Sequence, residues 1–166
     1  DTETGQETYR IEGNPTTVTS VAFHPTPDSP IVHFVWGNSL REWNIQTGQL
    51  IEQIDGMQNF DHAVSPDGHF IVSGMAKQMR LIEVSDAYEW NTVVILSGHQ
   101  DIIWRFAISP DRRLALSGDG SGGLRLWNLP NRGEVRNFAY DSIHGNHMGI
   151  SADGRFLLTS AWTEGA

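Results

Sequence analysis

The chain has 166 residues, 39% of them hydrophobic and 10% aromatic, with 17 Gly, no Cys and a formal net charge of −9. No run of roughly 18 apolar residues occurs, so no membrane span is expected, and the lack of Cys removes disulfides and thiol chemistry, which is compatible with the cytoplasmic location expected here. The acidic balance argues against a duplex nucleic-acid surface, where basic patches supply most of the affinity.

Taken in order, the chain alternates apolar and polar residues over short runs. That is the period of β-strands, and no 3.6-residue period of a helix interrupts it. Strands are predicted over 18–23, 31–36, 40–43 and 49–54, with a Pro-rich turn at 25–30. The next set falls at 60–64, 69–74, 79–84 and 91–96, where Thr92-Val93-Val94-Ile95-Leu96 is β-branched and continuously apolar, as a covered strand should be. From Gly98 to Asn128 the apolar positions are Ile103, then Phe106 and Ile108, then Leu114 and Leu116, then Leu124 and Leu126. Ser109-Pro110-Asp111 and the glycine cluster at 118–123 read as the turns between these strands, because Pro fixes φ and Gly and Asp tolerate tight corners. An outer strand follows at 134–138, and two more are predicted near 146–150 and 155–160. The predicted fold class is all-β.

The pattern repeats. The turn recurs as His24-Pro25, Ser65-Pro66-Asp67-Gly68 and Ser151-Ala152-Asp153-Gly154, at spacings of 41, 44 and 42 residues. A period of about 40–45 residues is that of a propeller blade. Gly98-His99, Ser109-Pro110-Asp111 and Leu126-Trp127-Asn128 together resemble the opening, first turn and closing Leu-Trp-Asp of the WD-repeat family of β-propellers, with Trp43-Asn44 a second closing pair. The resemblance implies four-stranded antiparallel blades over essentially the whole chain, about three and a half to four of them. Residues 1–12 are expected to hold the outer strand of a preceding blade, 13–55, 56–98 and 99–140 a blade each, and 141–166 an incomplete blade. Asp1-Thr2-Glu3-Thr4-Gly5-Gln6 parallels Asn44-Ile45-Gln46-Thr47-Gly48-Gln49, which reads as a chain cut inside a longer propeller. A blade buries both faces against neighbours, so the bare end faces are expected to be covered by further blades of the same polypeptide or by a second copy. A closed four-bladed ring is the third arrangement.

No catalytic constellation stands out. Ser109, His99 and Asp111 read as a turn and a structural His rather than a triad. The resemblance implies a buried hydrogen-bond network joining the His of Gly-His, a strand Ser, a loop Asp and the closing Trp. His99, Ser117 and Trp127 occupy three of those positions, and Ser121 stands where Asp is usual, so the network is incomplete or rewired through Asp119. Asn14 and Met57 replace the His in the first two units. His144 and His147 lie three apart on an extended, Gly-containing segment and read as loop residues, not metal ligands. Residues 118–123 could cradle an anion with backbone N–H groups, but lack the helix and Lys of a nucleotide loop. No cofactor and no metal are expected.

Partners of WD-repeat propellers commonly dock on the top face, near the inner strands and the channel. One aligned inner-strand position holds Thr19, Phe60, Trp104 and Asn146, and the end of the second strand holds Trp36, Met75, Asp119 and Ala161. Trp, Met and Phe are enriched at binding surfaces. Trp36, Phe60, Met75 and Trp104 are therefore the candidate partner site. Trp104 is predicted to point away from the blade core, because Ile103 and Phe106 take the packing positions beside it. The expected function is a non-catalytic protein–protein interaction scaffold within a larger WD-repeat protein or assembly. The alternative is a sensor or targeting domain fused to an enzyme such as a protease, kinase or signalling ATPase.

Overall fold

The computed structural model describes residues 3–7, 10–11, 17–25, 29–56, 61–85, 89–139 and 147–160. The described residues contain strands and turns and no helix. Three four-stranded antiparallel sheets follow one another along the chain. The first is β1 (Val18–Phe23), β2 (Ile31–Trp36), β3 (Ser39–Asn44) and β4 (Gln49–Asp55). The second is β5 (His62–Val64), β6 (Phe70–Met75), β7 (Gln78–Val84) and β8 (Trp90–Ser97). The third is β9 (Ile103–Ile108), β10 (Leu114–Asp119), β11 (Gly123–Asn128) and β12 (Gly133–Ala139). A two-stranded sheet, β13 (Met148–Ile150) with β14 (Leu157–Thr159), ends the described chain. In each four-stranded sheet the strands pair with their neighbours in sequence, as short loops require.

The recurring turn explains its own sequence. Ser109 Oγ donates to Asp111 Oδ1 at 2.6 Å and accepts from Leu114 N at 2.8 Å, while Asp111 Oδ1 accepts from Arg113 N at 3.1 Å. Ser65 with Asp67 and Ser151 with Asp153 make the same Oγ-to-Oδ1 bond at 2.6 Å, and each Ser oxygen caps the amide five residues on. The Ser and Asp side chains thus satisfy backbone groups that the corner leaves without ladder partners. The residue after each Asp is left-handed: Gly68, Arg112 and Gly154 have φ of 79°, 63° and 70°. At Gly68 space forbids a side chain as well, since a Cβ would lie 2.0 Å from His24 Nε2.

The core is the pair of seams between successive sheets. Val35 and Leu40 of the first sheet meet Ile71, Ile82 and Val84 of the second. On the second sheet's other face, Val72, Met79, Leu81 and Leu96 pack against Ile103, Phe106, Ala115, Trp127 and Leu129 of the third. Alternation along β6 and β7 sends successive side chains to opposite seams, so Ile71 beside Val72 and Leu81 beside Ile82 are buried on opposite faces. Polar bonds cross between sheets as well. Asp61 accepts from Ser20 Oγ at 3.0 Å and from Phe106 N at 3.3 Å, tying β1 and β9 to the start of β5. Asp67 pairs with Arg112 and Glu83 with Arg132 across the second seam.

The outer faces of the stack are less well covered. Val21 and Phe23 on β1 are exposed, Phe23 at 71%, and at the far end so are Phe156 and Leu158, the latter at 76%. Beside β14 a cleft of about 460 Å³ opens against Leu114, Leu124, Leu126, Val135 and Phe138. Apolar surface of this kind is more than a monomer usually leaves in water. The 166-residue chain on its own is therefore expected to self-associate, and light scattering that returned a monodisperse monomer with a cooperative melt would contradict this.

Candidate functional site

Two places carry the polar and aromatic side chains that the sequence singles out. The first is buried at the second seam. Asp119 Oδ2 lies 2.8 Å from His99 Nδ1, Ser117 Oγ lies 2.6 Å from His99 Nε2, and Trp127 Nε1 donates to Ser117 Oγ at 2.7 Å. An ionised carboxylate only accepts, so Nδ1 carries the proton and Nε2 is left to accept from the Ser117 hydroxyl. The relay runs Trp127 to Ser117 to His99 to Asp119, with every donor used once. Asp119 Oδ1 also accepts from Ser121 N, Ser121 Oγ and Gly123 N at 3.0, 2.8 and 2.8 Å. The amides of the glycine cluster thus hold the chain's own carboxylate. Burial alone would raise the Asp119 carboxyl, but the bonds from His99, Ser121 and Gly123 outweigh it and hold it below its ordinary value. Burial lowers His99, with Asp119 pulling the other way.

This arrangement is structural. Both ring nitrogens of His99 are engaged inside the seam, and Ser109 is spent on Asp111 and Leu114. No three His, Asp or Glu side chains among the described residues stand where they could share a metal ion. His147 is exposed, and His144 lies outside the described residues.

The second place is the edge where β5 and β9 begin. Trp104 is 43% exposed there, with Ile102 beside it. The cause is a bulge: β9 pairs Arg105 with Gly118 but Ile103 with Asp119, so Trp104 has no opposite residue. An extra residue in a strand re-aims its side chain, and Trp104 is turned out of the sheet while Ile103 and Phe106 remain buried. Thr19 sits in the matching bulge of β1, between Val18 and Ser20. Gly120 makes room, because a Cβ there would lie 2.9 Å from Trp104 Nε1 and 3.0 Å from Asp101 Oδ2.

Trp36 and Met75 do not share this exposure. Trp36 is 8% exposed, packed with Val32 and Phe34 under the Arg41 guanidinium, 4.8 Å above its ring. It faces the outer side of the first sheet, because β2 alternates Val32, Phe34 and Trp36 to that side. Met75 is half-buried, and its Sδ lies 3.0 Å from Arg80 Nη2. Phe60 and Asn146 lie outside the described residues. Asp61, His33, His62 and Glu42 were not singled out from sequence. The signal available was a His at the centre of the apolar run Ile31–Trp36.

Residues 90–128, the span of β8 to β11, match the family model described as WD domain, G-beta repeat. The stacked sheets superpose on the solved structure titled "Structure of U3-55K" with a TM-score of 0.69 over 84% of this chain and 44% of that one, at 16% identity. The chain is a run of WD-repeat propeller blades. A second structure, titled "Crystal structure of RRP9 WD40 repeats", gives a TM-score of 0.68, again at 16% identity, over 84% of this chain and 43% of that one. Among curated relatives, the small ribosomal subunit protein RACK1y of Oryza sativa subsp. japonica is 28% identical over 93% of this chain and 47% of its own length. The anaphase-promoting complex subunit cdh1 of Dictyostelium discoideum is 35% identical over 54% of this chain and 12% of its own. The chain thus spans less than half the length of either relative.

The relay in the third blade has a measurable consequence. Ser117→Ala removes the partner of both His99 Nε2 and Trp127 Nε1 inside a buried seam, and each buried orphan costs about 1–3 kcal/mol. Urea denaturation is expected to show a loss of at least about 2 kcal/mol with an unchanged slope. A loss under half of that would mean that water replaces the hydroxyl.

Proposed function

We propose that this WD-repeat chain is a non-catalytic protein-interaction scaffold whose partner docks on the edge carrying Trp104. One observation carries the reading: a bulge holds a Trp side chain in solvent at 43% exposure, at a position where the neighbouring inner-strand residues are buried. Exposing a large aromatic this way costs hydrophobic free energy that burial would recover, and Trp is the residue type most enriched among interface hot spots. Ile102 extends the apolar surface, and Gln100 and Asp101 give it a polar rim, the anatomy of an interface core and its border. The relatives are named as a ribosomal subunit protein and as a subunit of the anaphase-promoting complex, both members of larger assemblies. Phe60 and Met75, on the blade before, are the proposed continuation of the surface. Further blades, from the same polypeptide or a second copy, cover the bare end faces.

Trp104→Ala separates binding from packing. Loss of at least about 2 kcal/mol of partner affinity is expected if the indole is an interface anchor. Removing a buried Trp costs about 3–5 kcal/mol of stability instead, so a thermal melt close to wild type, beside weakened capture of the partner, supports the surface role. A large melting loss with affinity intact would end it.

A further inference from the structure

The first seam contains something that the second does not. His33 on β2 is fully buried, and neither of its ring nitrogens has a hydrogen-bond partner. Its Nδ1 stands 3.6 Å from Glu42 Oε2 on the neighbouring strand, beyond hydrogen-bond reach. His62 on β5, facing it from the second blade, is buried with both ring nitrogens unpartnered as well. Glu42 is fully buried. One oxygen accepts from Trp90 Nε1 of the second blade at 2.6 Å, and the other has no partner. His24 stacks 5.8 Å from His33 and lies against Gly68. Buried polar atoms are nearly always paired, so five orphans in one seam set it apart from the second seam, where His99 has both Asp119 and Ser117.

We propose that the seam between the first two blades is a proton-operated joint, closed while His33 and His62 are uncharged and parted when they take up protons. An imidazolium buried among apolar side chains needs an anion beside it. The charged and titratable groups facing the pair are few. From the first blade they are Glu42, its cross-strand neighbour Glu52, and His24. From the second they are Asp61, next to His62, raised by burial and bonded to Ser20 across the seam; Arg80, already donating to the Asp55 carbonyl; and Asp67 with His69 near His24. Glu42 is the fully buried carboxylate among them. Burial lifts it to about 7, against the Trp90 bond, with Glu52 pushing the same way, so acid neutralises it before the imidazoles charge. Burial holds His33 down to about 3, with His62 and His24 adding to the effect, and holds His62 down to about 4.

The direction follows from these shifts. Each His is depressed below its ordinary 6.5, so its contribution to closure is complete above that pH and is lost as pH falls towards about 3 and 4. Glu42 is raised, so its contribution is complete below 4.5 and is lost as pH rises through about 7. Between pH 6.5 and 4.5 two groups oppose one, and the closed seam loses about tenfold in its equilibrium for each pH unit. Parting would uncover Val35, Leu40, Ile71 and Ile82. The joint does not include Trp104, which belongs to the third blade.

Other groups also titrate in acid, Asp119 among them, so the readout must be local. Amide hydrogen exchange of the full chain at pH 7.5 and 5.0, corrected for intrinsic rates, compares β2 and β3 with β10 and β11. Acid is expected to cost β2 and β3 at least about tenfold more protection than the third blade. In the double variant His33→Leu/His62→Leu that difference is expected to vanish, while Glu42→Gln, which keeps the shape of the side chain, retains it. Equal loss in both blades of the wild-type protein, or a difference that survives the double variant, overturns the proposal. Should the double variant fail to fold, His62→Leu alone must shrink the difference, and a difference of wild-type size in it counts against the joint equally.

Discussion

The molecule depends on one constraint: a four-stranded antiparallel sheet with two apolar faces has to be covered on both. The second blade shows this best. Ile71 and Ile82 fill one seam and Val72, Met79 and Leu81 the other, all five fully buried. Because successive side chains point to opposite faces, a strand serving two seams carries apolar residues side by side, as Ile71 with Val72 and Leu81 with Ile82 do. The other features answer to this stacking. The Ser-Asp turns hold the hairpins tight enough to stack, and Asp61 and the Asp67–Arg112 pair lock neighbouring blades in register. The first and last sheets have one neighbour each within the described residues, and there the chain leaves Phe23 and Leu158 in solvent.

Polar groups enter these seams in two ways. In the third blade the relay from Trp127 to Asp119 uses every donor and ends on a carboxylate that the following turn wraps with amides. A closed network of this kind stiffens a seam, since each member is worth more beside polarised neighbours. In the first blade His33 and Glu42 stand in matching rows of adjacent strands but too far apart to bond, and among the described residues Trp90 alone donates across the seam to Glu42. The two seams thus differ in how their buried polar groups are satisfied.

Surface chemistry arises where the ladder is interrupted. The bulge in β9 turns Trp104 outward without disturbing Ile103 or Phe106. A similar bulge in β1 turns Thr19 outward. One backbone device repeated from blade to blade can thus present different side chains at one edge, which is how repeat proteins vary their surfaces on a constant core.

Period-two alternation and a turn returning every 41 to 44 residues were enough to establish the all-β class, the strand positions to within about two residues and the blade repeat, because all three depend on local backbone chemistry. The pairing partner of His99 was open between two positions in sequence, because Ser121 and Asp119 are two residues apart and only the path of β10 brings the Asp119 carboxylate to Nδ1. The fate of Trp36 and Trp104 was likewise beyond sequence. Both are Trp near the same edge, yet Trp36 is covered by Val32, Phe34 and the Arg41 guanidinium while the bulge in β9 turns Trp104 out. His33, His62 and Glu42 are separated by up to 29 residues, and nothing in their spacing announces that they share a seam. That meeting is a product of blade stacking, and burial among apolar neighbours, not residue type, is what leaves the four imidazole nitrogens and one Glu42 oxygen without partners.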